Sequence, residues 1–573
     1  MTSGRTTIMG TRHLISAGHY LAAHAGFEIL EAGGNAVDAG VAAGIAIGVL
    51  QTDKVNFGGV APQIIYTAKD RKVHCIDGLG VWPKAVTPDY FMKRHGGAIP
   101  PGVERCVVPA APDAWITALE RFGTMSFGEV CAAAIRFARE GFPMYPLMAE
   151  FIRANRAAYE RWPSSARVFL PKGRPPEVGE IFVQADLGRT LQYLADEERR
   201  VARRKGRRAG LGAARDAFYK GDVAREVTRF IEREGGLMRY EDFAGFRVRF
   251  EPTVRLRYDG LELHACGPWS QGPVLPMALN LLKGYDLKAM GHNSADYIHV
   301  VAEALKLAFA DRHHHFGDPR FVQVPLSGLL SERYGAHRRS LISPEKAWPE
   351  MPPAGDPATL AQLAHRCVPA PQPPEAPLPG DTSYLCVVDR HGNAFSATPS
   401  DGSDKTPIVP GVGILCSGRG TQSWADPAHP SSVAPGKRPR LTPNPALALR
   451  GGRAYMPFGT PGGDVQCQAM LQVFLNINVF GMDPQTAVEA PRFSSYSYPG
   501  SFEPHPYYPG LLALESRIEK SVGDELASRG HRVHWWDEST WLAGAVCTIV
   551  VDQRRGVLHG GADPRRPAYV LGW

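Results

Sequence analysis

Thr382 heads the run Thr382-Ser383-Tyr384-Leu385-Cys386-Val387-Val388-Asp389, directly behind a proline-rich stretch that ends at Gly380-Asp381. A hydroxyl fixed at the start of a strand, behind a cuttable linker, is the arrangement expected of a chain that cleaves itself and then uses the new N-terminal threonine as nucleophile. An alkyl hydroxyl attacks poorly near neutral pH unless a base lies within hydrogen-bond reach. Cleavage would supply that base on the same residue, because a free α-amino group has a pKa of about 7.7 to 8, far nearer neutrality than a lysine. The competing reading is an ordinary strand threonine.

The surrounding pattern predicts the elements that hold this residue. A turn at Arg390-His391-Gly392-Asn393 follows the strand, then a second strand from Ala394 to Thr398. Asp389 opposite Ala394 sets Ser383 against Ser400 and leaves Thr382 one step away. Pro399 cannot donate to a ladder and implies an edge or bulge, and a slip by one residue puts Ser400 on the face of Thr382. The register stays open at this level. Asn393 reads as a turn former.

Upstream, Tyr20 to Ala32 has a helical pattern stopped by Gly33-Gly34, and Asn35 is placed to cap a second helix, Ala36 to Leu50, rich in small residues. Strands are expected at Gln63 to Thr67 and Val73 to Ile76, mixed helical segments over much of 110–240, and a further helix at Ser294 to Arg312. From Pro344 to Pro379 proline and alanine predominate, which predicts an exposed connector.

With 573 residues, 44% of them hydrophobic, the chain can bury a large core. The apolar run Ala39 to Leu50 is too short to span a bilayer, and the first ten residues lack the pattern of a secretory signal, so a cytoplasmic protein without a membrane partner is expected. Nine cysteines with no Cys-x-x-Cys pair fit reduced thiols better than disulfides or zinc. The net charge of +7 comes from one basic run, Arg199 to Arg208, which reads as a solvated helix end and not as a nucleic-acid surface. Three adjacent histidines, His313-His314-His315, cannot all face one ion on a helix, so no metal is expected.

The motifs, taken in order, resemble the gamma-glutamyltransferase family of N-terminal nucleophile hydrolases over nearly the whole chain. They are Gly33-Gly34-Asn35-Ala36-Val37-Asp38-Ala39, Gly58-Gly59, Asp77 with Pro83, Phe218-Tyr219-Lys220-Gly221, Gly235-Gly236-Leu237, Ala310-Asp311-Arg312 and Gly317-Asp318-Pro319. Beyond the linker come Thr382-Ser383, Gly392-Asn393-Ala394, Lys437-Arg438-Pro439, Pro461-Gly462-Gly463, Ala490-Pro491-Arg492-Phe493 and Asp563-Pro564-Arg565.

The resemblance implies an α+β fold, a four-layer αββα sandwich, and a precursor that cuts its own Asp381–Thr382 bond into a large subunit of residues 1–381 and a small one of 382–573. The subunits would remain together through shared sheets. It implies Thr382 as nucleophile and base, Gly462 and Gly463 as oxyanion donors, Ser400 as the second hydroxyl beside the nucleophile, Ser383 as a supporting residue next to it, an amide substrate cleaved through an acyl-enzyme, and no cofactor.

This sequence also departs from that family. The arginine that clamps a glutamyl α-carboxylate is replaced by Leu79; the acidic residue for the α-amino group falls on Gln422; an asparagine falls on Gly402; and paired serines fall on Leu441-Thr442. A leucine cannot make a bidentate guanidinium–carboxylate pair. The expected activity is therefore an amidohydrolase or acylase for another acyl group, with Arg419 as a new cation near the site. A gamma-glutamyltransferase or glutathione hydrolase with a rebuilt pocket, and an unprocessed, non-catalytic homologue, are the alternatives. Trp82 and Trp424 are expected to wall the pocket.

Overall fold

Asn35 accepts hydrogen bonds from the N–H groups of Val37 and Asp38 while the Asp38 carboxylate accepts from Asn35 N, so a reciprocal cap starts the helix Ala36–Leu50 where the sequence predicts it. Small residues let this helix approach a sheet closely. A Cβ on Gly40 would lie 2.2 Å from the Phe395 ring, and one on Gly44 would lie 2.5 Å from the Trp115 indole. The helix Ala295–His315 begins one residue later than expected, because Ser294 is its cap through Oγ, and it runs three residues further than Arg312.

A computed structural model describes residues 3–371 and 382–573. Two antiparallel seven-stranded sheets face one another. The first runs Tyr569–Gly572, Leu14–Ala17, Leu385–Val388, Ala394–Ala397, Gln63–Thr67, Lys72–Ile76, Phe250–Glu251. The second runs Ile8–Gly10, Val557–Ala562, Cys547–Asp552, Arg453–Gly459, Ala446–Arg450, Leu261–Ala265, Val254–Tyr258. The strand period of two sorts the side chains. Leu385, Val387, Phe395 and Ala397 join the N-terminal helices in one core, whereas Tyr384, Cys386, Val388 and Ala394 join Leu447, Cys547 and Ile549 between the sheets. Helices Val274–Leu282, Ala295–His315 and Val465–Asn478 cover the outer face of the second sheet. This is the four-layer αββα sandwich, and both sheets interleave strands from either side of residue 381.

Two expectations change, and a third holds. The connector is docked rather than exposed in its first part: Ala354–Gly355 pairs with Gln362–Leu363, Gly355 N donates to the buried Asp311 carboxylate at 2.9 Å, and Met351 is buried. Proline removes donors, but the donors that remain find buried acceptors here. Residues 372–381, including Asp381, lie outside the described residues. The basic run lies, as expected, at an exposed helix end, that of Ala185–Lys205, and continues into Arg207–Tyr219; Arg200 pairs with Glu197, and Arg207 caps the carbonyls of Leu119 and Met125.

The second change is the hairpin register. Val388 pairs with Ala394, and Asp389 N donates to Asn393 O at 3.1 Å, so the turn contains three residues, 390–392, and not four. Gly392 has φ +80, Gly392 N bonds Asp389 O at 2.9 Å, and the Asp389 carboxylate accepts from His391 N and Asn393 N. A three-residue loop closed by a left-handed glycine is a favoured hairpin turn, and it shifts the second strand by one. Asp389 Oδ2 also accepts from Ala36 N, tying the turn to the helix start. Ser383 N reaches Pro399 O at 3.0 Å, so the ladder passes the proline and brings Thr382 opposite Ser400.

Candidate active site

Thr382 is fully buried on the inter-sheet face, with its Oγ1 2.8 Å from Ser400 Oγ. Ser400 is held from the neighbouring segment by reciprocal backbone bonds with Val60, 3.0 and 3.2 Å, where Gly59 leaves no room for a Cβ beside Ser400 O. Arg419 donates through Nη2 to Ser400 Oγ, and its Nε lies 3.5 Å from Asp401 Oδ1. Asp401 has φ +121, a costly conformation for a residue with a side chain. Its carboxylate is fixed there by Ser417 Oγ at 2.5 Å and Gly418 N at 3.1 Å. On the other side, Arg566 Nη1 donates to Thr382 O at 2.9 Å. Two guanidinium groups thus bracket the threonine.

The remaining polar residues continue from this centre. Arg419 and Gln422 share the short 3-10 helix Gly418–Gln422, and Gln422 Nε2 donates to Thr442 Oγ1 at 2.8 Å. Gln271 Nε2 donates to Thr442 O at 2.9 Å and to Gly463 O at 2.8 Å. Gly462 and Gly463 have φ +123 and +57 and lead into the helix Val465–Asn478. Among the described residues neither glycine gives its N–H to a protein acceptor. Such amides, at the positive end of a helix, are suited to a developing oxyanion. Behind them Asp464 pairs with Arg312 and accepts from Ser501 N at 2.8 Å. Burial acts to raise the Asp464 carboxyl, but Arg312 and Ser501 outweigh it and hold it below its usual value.

Thr382, Ser400, Arg419, Gln422, Thr442 and Gly463 therefore lie along one connected path. Two other expected site residues do not. The strand alternation turns Ser383 to the face opposite Thr382, where a Cβ on Gly18 would meet Ser383 Oγ at 2.2 Å, so it packs against Gly18. Leu79 is fully buried in the apolar layer between the sheets, in one cluster with Leu441, Trp269 and Val60, rather than standing at a polar wall. Trp82 donates its indole N–H to Ser423 Oγ at 2.9 Å and packs where a Cβ on Gly420 would be, backing the Arg419–Gln422 turn. Trp424 is stacked between His505 and His429.

Sequence reasoning missed Arg566, Asp401 and Gln271. The first two adjoin residues already singled out, Arg565 and Ser400, and that adjacency was the available signal. Gln271 had none. The histidine run is spread by the helix, with His313 Nε2 on Arg366 O and His315 Nε2 on Gly355 O.

A family model described as gamma-glutamyltranspeptidase matches residues 22–573. The chain belongs to that family. As a gamma-glutamyltranspeptidase family member it is similar to the glutathione hydrolase-like YwrD proenzyme of Bacillus subtilis (strain 168), 30% identical over 572 residues that cover 99% of each chain. It is also similar to the acylase ACY 1 proenzyme of Pseudomonas sp. (strain V22), 32% identical over 570 residues covering 96% of this chain and 92% of the relative. The solved cephalosporin acylase from Bacillus halodurans superposes with TM-score 0.86 at 29% identity, over 100% of this chain and 98% of that one. The protein is a self-processing hydrolase of the N-terminal nucleophile type.

The Thr382–Ser400 contact makes a specific demand on this family member. Ser400→Ala removes the hydroxyl that lies 2.8 Å from Thr382 Oγ1 and accepts from Arg419, a loss of about 1.5–3 kcal/mol for a hydrogen bond involving charge. A fall of roughly 10- to 100-fold in kcat/KM with the fold retained is expected in steady-state kinetics on an amide substrate.

Proposed function

We propose that Thr382 is both nucleophile and base of an amidohydrolase whose acyl group is not gamma-glutamyl, and that it is liberated by cleavage of the Asp381–Thr382 bond. In the precursor Thr382 Oγ1 attacks the Asp381 carbonyl, the C–N bond breaks as the amide becomes an ester, and water hydrolyses the ester. The products are residues 1–381 and 382–573, the second with a free α-amine. In the mature enzyme that amine takes the hydroxyl proton as Oγ1 attacks the substrate carbonyl. The oxyanion is met by the amides of Gly462 and Gly463, each such donor being worth roughly 2.7–4 kcal/mol. The proton passes to the leaving amine, and water, deprotonated by the α-amine, releases the acyl group.

The observation that carries this reading is the 2.8 Å contact between Thr382 Oγ1 and Ser400 Oγ, at the head of a strand whose next residue faces away. Ser400 and Arg566 orient the threonine, and Arg419 and Gln422 face the acyl group. The choice of acyl group is supported by Leu79 and Leu441, which share an apolar cluster at the positions where a carboxylate clamp would stand. The acylase relatives are consistent with it.

A gamma-glutamyl head group would bring an α-carboxylate with no clamp, and an unpaired charge in a closed site costs several kcal/mol. A gamma-glutamyl anilide is therefore expected to be turned over at least about 100-fold less efficiently than an uncharged acyl anilide of equal length, about 2.7 kcal/mol in transition-state stabilisation. Comparison of kcat/KM for the two anilides tests this, and faster turnover of the gamma-glutamyl compound would restore the glutathione hydrolase reading.

A further inference from the structure

Lys437 lies one residue before Arg438, and the two have opposite surroundings. Arg438 is surrounded by carboxylates: Asp77 at 2.9 Å, Glu251 at 2.7 Å and Asp318 at 2.9 Å. Lys437 is 3% exposed, yet its Nζ has one polar partner, Ser432 Oγ at 3.1 Å, and among the described residues no carboxylate forms an ion pair with it. The charge of Asp318 acts on it, but that carboxylate is engaged by the Arg438 guanidinium and N–H. Buried ammonium groups are ordinarily paired, because desolvation costs several kcal/mol without a counter-charge.

Lys437 lines a cavity of about 580 Å³, within the size range of small-molecule sites. Among the described residues none of those in its wall is acidic. His314, His315, His429 and Arg366 join Lys437 on its basic side, and Phe321, Val322, Val433 and Pro430 make an apolar side. His429, 1% exposed, accepts from Ser431 N through Nδ1, which leaves the proton of the neutral ring on Nε2, a donor without an acceptor among the described residues. His429 is held in the wall by Trp424, stacked on it at 4.4 Å, and by His313, whose ring lies tilted against it at 5.0 Å. Desolvation lowers the Lys437 ammonium to about 8, and burial followed by His315, Arg366 and His365 lowers His314 to about 4.

We propose that this cavity is a binding site for a small organic carboxylate, whose anionic end pairs with Lys437 and whose apolar body lies against Phe321 and Val433. The ligand supplies the counter-charge that the fold withholds from Lys437, just as three carboxylates supply it to Arg438. Arg366 at the exposed rim draws the anion in. The site is separate in its residues from the Thr382–Ser400–Arg419 centre, and its occupancy is independent of whether Thr382 is the nucleophile.

The test uses 4-bromobenzoate and its neutral isostere 4-bromobenzamide with the purified protein. Crystals soaked in 4-bromobenzoate are expected to show bromine anomalous density within the cavity, with the carboxylate in hydrogen-bond reach of Lys437 Nζ. Calorimetric titration is expected to give at least about 10-fold weaker binding for the benzamide, and a similar loss of benzoate affinity in Lys437→Met. Equal affinity for the two probes, bromine density only elsewhere, or benzoate binding unchanged in Lys437→Met would each overturn the proposal. The benzoate–benzamide comparison is made on the native sequence, so it decides the matter even if the variant does not fold.

Discussion

A chain carrying Thr382→Ala will run as one full-length polypeptide on a denaturing gel and lose amide turnover by at least about 10⁴-fold, the scale seen when a catalytic nucleophile is deleted. The unsubstituted chain will give two fragments, and mass measurement of the smaller will begin it at Thr382. Both losses follow from one atom. The buried Oγ1 is the group that would attack in the precursor and again in the mature enzyme, and no other hydroxyl replaces it: Ser400 lies 2.8 Å away but carries no amine that cleavage could free. Thr382→Ser keeps the hydroxyl and is expected to process and turn over. Turnover that survives Thr382→Ala, or an unsubstituted chain that stays whole, would end the proposal, and the second result would favour a non-catalytic homologue.

Arg438→Met is expected to be the most destabilising single substitution in the inter-sheet region. Arg438 is 1% exposed and joins Asp77, Glu251 and Asp318, from the expected large subunit, to the segment that carries Leu441 and Thr442. Removing it leaves Asp77 and Asp318 as buried unpaired carboxylates, a cost of about 3–5 kcal/mol. The pH dependence has a definite sign. Burial already pushes the Asp77 carboxyl up to about 6 despite the neighbouring Arg438. For Asp318, burial also acts upward, but hydrogen bonds from Arg438 and its charge hold the group below its usual value. Without the guanidinium both folded-state values rise above the unfolded value of about 3.9. A carboxyl raised in the folded state disfavours folding increasingly as pH climbs from the unfolded pKa through the folded one. The variant will therefore lose more stability, relative to the parent, at pH 8 than at pH 5. Denaturant midpoints at the two pH values measure this, and adding Asp77→Asn to Arg438→Met should recover part of the loss. Equal losses at both pH values would contradict the account.

Several of the family motifs act through such buried charge pairs. Asp563 pairs with Arg492 and Arg565, and Arg565 reaches Glu515 at 2.5 Å, all fully buried. Arg312 pairs with Asp464 behind the glycine pair, so the marker Ala310-Asp311-Arg312 supports the loop that Pro461-Gly462-Gly463 begins. These contacts, together with strand Leu14–Ala17 seated between Tyr569–Gly572 and Leu385–Val388, hold the two sides of residue 381 in one body. Cleavage there would cut a connection without separating the sheets.

The sequence alone determined the local features of this protein. A capped helix of small residues at Ala36–Leu50, strands either side of a turn at 390–393, a hydroxyl at the strand head and a glycine pair before a helix all follow from neighbours a few residues apart, where capping, turn and steric preferences act directly. What only the tertiary structure decided is the alignment of one segment on another. A three-residue turn moved Ser400 by one position and so onto the Thr382 face, the same alternation turned Ser383 to the opposite face, and Arg566, 184 residues away in sequence, reached the Thr382 carbonyl. A one-residue change of register reverses every side chain across a strand, and contacts between distant segments depend on how whole layers close, which local composition does not encode.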